Sequence, residues 1–255
     1  MDAMALANTH AFVTGGGRGI GRAVAAALAR AGAIVTVIGR TEAPLQAAVA
    51  AGDAAGCAVA DVTDPAEVQR QVTAAEAARG PIAILVNNAG SAATGPFVKA
   101  DASVFRAMWD VHVMGPVYAT QAVLPGMIAR GFGRIVNVAS TAGLRGYAYV
   151  TAYCAAKHAL VGLTRALAAE TAACGVTVNA VCPGYTDTDL VRDSIRRVAA
   201  KTGRAQAEVL AEYERDAPIG RLIRPEEVAA AVLYLCSPEA AAVTGTTLAI
   251  AGGEM

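Results

Sequence analysis

Short, continuously apolar runs recur along the chain, each followed by a longer segment of helical periodicity, and this alternation constrains the fold more than any other feature. His10–Thr14 (HAFVT), residues 34–38 (IVTVI), 57–60, 82–86 (IAILV), 134–138, 176–181 and Thr247–Ile250 read as strands. Between them lie helical segments. One covers residues 20–31 and stops at Gly32; the next follows Thr41, whose hydroxyl can cap it, and carries Pro44 in its first turn. Asp64-Pro65 opens another, with Asp64 as N-cap, and further helices run through 104–130, over about 152–171, and from Pro225-Glu226-Glu227. A strand that is apolar at nearly every position has both faces buried. Strands of that kind, separated by helices of ten or more residues, build a parallel sheet that right-handed crossovers make doubly wound. The expected fold is α/β, a doubly wound parallel sheet (Rossmann fold) forming one domain over residues 1–255.

Residues 187–216 break the rhythm. Arg192, Asp193, Arg196, Arg197, Lys201 and Arg204 crowd into a chain that is elsewhere poor in charge. The segment reads as a small helical lid over the substrate side, or equally as a solvated insertion. Across the whole chain 21 basic and 21 acidic residues balance, which argues against nucleic acid or an anionic membrane surface as the main partner. Residues 1–10 lack the basic start and apolar core of a signal peptide. The long uncharged stretch 81–98 holds two Asn, two Gly and two Pro, which excludes a membrane span there. Cys57, Cys154, Cys174, Cys182 and Cys236 have no metal-binding spacing and read as reduced, small packing residues. No metal site is expected, and a cytoplasmic location is.

Thr14-Gly15-Gly16-Gly17-Arg18-Gly19-Ile20-Gly21 lies between the first strand and the first helix. Glycines there permit a tight turn and close approach of a pyrophosphate, which the free N–H groups at the helix start then bind. A site for NAD usually has an acidic side chain about 20 residues on, at the end of the second strand. This chain instead reads Ile38-Gly39-Arg40-Thr41. The planar fork of Arg40 suits a 2′-phosphate, and Arg18 can add a second positive charge. NADP(H) is therefore favoured and NAD(H) is the alternative; Arg40 could also stack on adenine or face water.

Tyr153 and Lys157 share one face of a predicted helix at i, i+4 spacing. A phenol titrates near pH 10, and a neighbouring ammonium is expected to lower that value. Ser140 follows a strand and can hydrogen-bond a substrate oxygen. With the glycine loop, Asn87-Asn88-Ala89-Gly90 after the fourth strand and Pro183-Gly184 after the sixth, these motifs stand in order and at the right spacing. The sequence resembles the classical short-chain dehydrogenase/reductase family over essentially its whole length.

That resemblance implies an NAD(P)-dependent oxidoreductase acting on CH–OH. Tyr153 would be the general acid/base, Lys157 would lower its pKa and bind the nicotinamide ribose, and Ser140 would position the carbonyl. Asp61 and Val62 would contact adenine, Asn88, Ala89 and Gly90 would run along the ribose, and Thr186 and Thr188 would lie near the nicotinamide amide and pyrophosphate. Where the family has a catalytic Asn in a proton relay, this chain has His112, either tolerated because the backbone carbonyl does much of the work or itself part of the relay. The expected substrate is a 3-hydroxyacyl/3-oxoacyl thioester, on CoA or a carrier protein, with phosphates met by the basic segment 192–204. A cyclic or aromatic secondary alcohol is the alternative, and a non-catalytic subunit or scaffold is the reading from another class. The family resemblance also implies a homotetramer.

Overall fold

The computed structural model describes residues 5–254. Seven strands form one sheet: β1 (His10–Thr14), β2 (Ile34–Gly39), β3 (Gly56–Val59), β4 (Ile82–Asn87), β5 (Gly133–Val138), β6 (Val176–Pro183) and β7 (Thr247–Ile250). All are parallel, in the order β3-β2-β1-β4-β5-β6-β7. The order reverses between β1 and β4, so the loops leaving their carboxyl ends diverge and open a crevice there.

Nine helices connect them among the described residues: α1 (Gly19–Arg30), α2 (Glu42–Ala50), α3 (Pro65–Arg79), α4 (Ala102–Trp109), α5 (Gly115–Arg130), α6 (Thr151–Thr171), α7 (Asp189–Thr202), α8 (Gln206–Asp216) and α9 (Pro225–Cys236). The continuous apolar runs serve two cores at once. Ala11, Val13, Val35, Val37 and Val86 face Val24, Leu28, Val228 and Val232 of α1 and α9. On the opposite face Phe12, Ile38, Leu85 and Ile135 meet Val68, Val72, Val123 and Met127 of α3 and α5. Burying a strand on both faces removes every alternate position for a polar residue, which is why the sequence signal is unbroken rather than period two.

Local signals act mostly as expected. Asp64 accepts from the N–H groups of Ala66 and Glu67, at 2.9 and 3.1 Å. Thr41 is a departure: it sits at the N-cap of α2 but its side chain makes no capping bond. A second departure lies in the stretch 104–130. It is not one α-helix, because a π-helical turn, Asp110–Met114, separates α4 from α5, and the N–H of Gly115 reaches back five residues to the Asp110 carbonyl. Residues 187–216 do form two helices, α7 and α8, packed through Ile195, Ala199 and Val209.

Candidate active site

The glycine loop is shaped by what it must avoid. Gly15 is left-handed (φ +65°), and a Cβ there would stand 2.9 Å from the Ala89 Cα. A Cβ on Gly21 would lie 2.3 Å from both Asn88 Nδ2 and the Gly15 carbonyl oxygen. Gly19, also left-handed (φ +51°), passes close to the Thr188 side chain. Asn88 ties the two loops together: its amide donates to the carbonyls of Thr14 and Gly15, at 3.0 and 3.2 Å. The Thr14 hydroxyl accepts from the backbone N–H groups of Asn88 and Ala89, both at 3.0 Å. Asn88 and Gly21 thus fit each other, and Ile20, in the first turn of α1, packs on the core. The start of α1 has no acidic residue and no side-chain cap, so its free N–H groups and positive dipole end stay available to an anion.

Beside this loop opens a cleft of about 460 Å³. Gly15, Gly17, Arg18, Arg40, Asp61, Val62, Ala89 and Gly90, all cofactor-binding candidates of the sequence, line it. Thr41, Pro44, Thr63, Ser91, Asp110 and Val111 line it too and were not anticipated. Arg18 and Arg40 are both exposed to solvent, and among the described residues neither makes an ion pair. The Asp61 carboxylate is already held by Thr63, accepting from its N–H at 2.9 Å and its hydroxyl at 2.8 Å. A tight glycine turn, an uncapped helix start and two unpaired guanidinium groups at the cleft fit a dinucleotide. Pro183, Gly184, Thr186 and Thr188 are not among the residues lining this cleft. Thr186 is buried, donating to the Gly184 carbonyl at 3.0 Å, and Thr188 donates to the Thr186 carbonyl at 3.3 Å.

Ser140, Tyr153, Lys157 and His112 come together at the carboxyl end of β5. Ser140 caps a short 3₁₀ turn, accepting from the Ala142 N–H at 3.1 Å, which leaves its own O–H free to donate. Gly143 lets α6 approach this turn, since a Cβ there would be 2.8 Å from the Lys157 carbonyl oxygen. Lys157 is buried, and its Nζ donates to the Val138 carbonyl at 2.7 Å while lying 5.6 Å from the Tyr153 ring centroid. Beneath, Asn87 donates to Asn137, and Asn137 donates to Thr164 of α6, each at 2.9 Å. This buried chain fixes α6 against β4 and β5; its polar residues inside otherwise apolar strands were the available sequence signal.

Burial decides the protonation of these groups. It pushes the Tyr153 phenol up to about 12, against a smaller downward pull from the Ser140 hydroxyl. It pushes Lys157 down to about 7. The expectation that the ammonium lowers the phenol is therefore not met in the protein alone: the lysine is itself partly neutral at pH 7, and desolvation dominates. His112 is pushed down to about 3, by burial first and the Lys157 charge second. Its Nε2 lies 2.7 Å from the Ser91 carbonyl, which can only accept, so Nε2 carries the proton and Nδ1 the lone pair. No protein group among the described residues reaches that Nδ1. The ring meets Tyr153 edge-on, centroids 5.2 Å apart at 88°. His112 is thus a neutral wall of the phenol's pocket, carried inward by the π turn.

His10 bonds the Gly80 carbonyl and Thr36, and His158 bonds the Cys154 carbonyl, so both serve the fold. Met108 is buried, while Trp109 is half-exposed. All five cysteines are free, and no group of His, Cys, Asp or Glu among the described residues could hold a metal ion. No helix among the described residues is long and apolar enough to cross a membrane. The basic segment is largely neutralised: of its five basic side chains only Arg197 and Lys201 lack an ion pair among the described residues. Arg192 pairs with Asp187, Arg196 with Asp193, and Arg204 with Glu212, because acidic neighbours one helical turn or one helix away neutralise them.

Comparison with known proteins agrees with this geometry. Residues 9–199 match the family described as short chain dehydrogenase. The chain is 42% identical over 253 residues to 2-(S)-hydroxypropyl-CoM dehydrogenase 3 of Xanthobacter autotrophicus, covering 97% of each. It is 43% identical to the inactive 2-(S)-hydroxypropyl-CoM dehydrogenase 2 of the same organism, over 90% of this chain and 98% of the other. The crystal structure of a single-residue variant of actinorhodin polyketide ketoreductase with NADPH superposes with a TM-score of 0.93 at 35% identity, over 96% of this chain and 97% of that one. Relatives of this kind, a matched family spanning most of the chain and a Ser–Tyr–Lys cluster beside a glycine-loop cleft place the protein in the short-chain dehydrogenase family, as an oxidoreductase acting on secondary alcohols and ketones.

Proposed function

We propose that the chain interconverts a 3-hydroxyacyl and a 3-oxoacyl thioester with NADP(H), using Tyr153 as general acid/base. The observation that carries this reading is the desolvated Tyr153 phenol held between Ser140, Lys157 and the neutral ring of His112. A nicotinamide bound along the cleft supplies or accepts the hydride. In reduction, the phenol, fully protonated at neutral pH, gives its proton to the carbonyl oxygen as that oxygen gains charge. Ser140 donates a hydrogen bond to the same oxygen and orients it. Lys157, held by the Val138 carbonyl beneath the ring, favours phenolate when charged, which serves alcohol oxidation. His112 stays neutral throughout the physiological range, so its part is to pack against the phenol and hold the Ser91 loop.

The thioester reading draws on the likeness to a polyketide ketoreductase, not on the lid arginines, three of which are already in ion pairs. The helices α7 and α8 act as the lid in this account. The small-residue exposed face of α6, with Ala155, Gly162 and Ala166, suits close packing of a second copy in a tetramer. Intact Ser140, Tyr153 and Lys157 stand against a purely structural role.

Arg18 and Arg40, unpaired at the cleft, support NADP(H). Replacing Arg40 with aspartate removes a charge-assisted bond to a 2′-phosphate and adds repulsion. The variant is expected to lose about 10- to 100-fold in NADPH affinity relative to NADH, read by fluorescence titration of both cofactors. An unchanged preference would remove Arg40 from the assignment.

A further inference from the structure

Residues 251–254, following β7, turn back across the carboxyl end of the sheet. Gly252 and Gly253 make the turn at φ +59° and +93°, and the Glu254 N–H closes it on the Ala251 carbonyl at 3.1 Å. The turn carries the Glu254 carboxylate into the interior, where the residue is only 3% exposed. There Oε1 accepts from Arg145 Nη2 at 2.9 Å and from the Tyr147 hydroxyl at 2.7 Å. A phenol has one proton to give, and the carboxylate takes it. Tyr147 therefore accepts from the Thr141 hydroxyl, 2.8 Å away. Thr141 is the neighbour of Ser140. One carboxylate oxygen thus fixes the loop 144–150, which lies between Ser140 and Tyr153. Tyr149 in that loop is left-handed (φ +67°), its carbonyl accepting from the Gly95 N–H at 2.8 Å.

The same four residues also hold the opposite wall. The Gly252 carbonyl accepts from the Ile219 N–H at 3.0 Å, and Gly253 packs on Pro218, just beyond α8. A Cβ on Gly184 would stand 2.8 Å from Glu254 Oε2, so the end of β6 closes on it as well. An apolar residue would fill this space without the desolvation cost of a carboxylate, so a role in packing alone does not call for Glu.

We propose that Glu254 is a positioning and specificity-determining residue: through Arg145, Tyr147 and Thr141 it holds the loop between Ser140 and Tyr153 at a set distance from the end of α8, and so fixes the width of the substrate opening. The inference rests on reading Ser140 and Tyr153 as the alcohol/ketone site.

Steady-state kinetics with the full-length protein and its best ketone, together with NADPH titration, test it. E254A is expected to raise KM for the ketone about tenfold while kcat stays within about threefold and NADPH affinity is unchanged. Y147F should move KM in the same direction by less, and the double variant should be no worse than E254A, because both act through one network. A wild-type KM in E254A, additive effects in the double variant, or a matching loss of NADPH affinity would each overturn the proposal. Should E254A fail to fold, E254Q and Y147F decide: a raised KM in both is expected, and a wild-type KM in both overturns it. Wild-type turnover with an unchanged KM in the variants sinks this inference alone, whereas absence of wild-type turnover sinks the underlying reading with it.

Discussion

Tyr153→Phe is expected to lower turnover roughly a thousandfold while leaving NADPH affinity within about twofold of wild type. The substitution removes one oxygen and no packing volume. The ring still meets His112 edge-on, and α6 still carries Lys157. What is lost is the single proton that burial keeps on the phenol at neutral pH. Because Ser140 also donates to the reacting oxygen, part of the rate survives; the remaining groups still bind and orient. Stopped-flow turnover beside a cofactor titration separates the two effects. Equal losses in affinity and rate would mean that Tyr153 serves the cleft and not the proton.

Lys157→Met is expected to do two opposite things: abolish most turnover and make the protein more stable at neutral pH. In the unfolded chain this lysine titrates near 10.5, and in the folded protein near 7. Between those values the unfolded state holds the extra proton, so stability rises with pH across that window and is lowest at and below about pH 7. Full burial of the charge on that scale would cost at most about 5 kcal/mol. The bond to the Val138 carbonyl offsets part of it, so methionine should gain about 2–3 kcal/mol at about pH 7. The gain should shrink steadily as pH rises towards about 10.5. Urea melts of both proteins at several pH values check this. A variant less stable than wild type at neutral pH would mean that Lys157 contributes to the fold and is not a strained functional group.

The fold is legible because its signal is local and repeated. A strand buried on both faces shows itself in a handful of consecutive residues, as in IAILV, and the glycine turn shows itself in one short run. Asp64 is legible for the same reason, its carboxylate meeting the N–H groups of Ala66 and Glu67 just ahead. What escapes depends on contacts far apart in sequence. Asn137 reaches Thr164, and Glu254 reaches Arg145 across 109 positions, so no window along the chain contains either pair. The paired state of Arg204 needs α8 to form, which brings Glu212, eight positions on, back beside it. The π turn at His112 does leave a local trace. Pro116 has no N–H to give the His112 carbonyl four residues behind it, so the regular helical bonding is interrupted at that point. The direction of the Tyr153 shift is not legible, because spacing reports the neighbouring charge but not the burial that outweighs it.

The measurement closest to the central claim is a cofactor-absorbance assay of the wild-type protein with NADPH and NADH against 3-oxoacyl thioesters, cyclic ketones and aromatic ketones. The account predicts oxidation of NADPH by a 3-oxoacyl thioester, faster than with NADH and faster than with the simple ketones. Binding of neither cofactor and turnover of no ketone would contradict it, and would make the protein a structural member of its family.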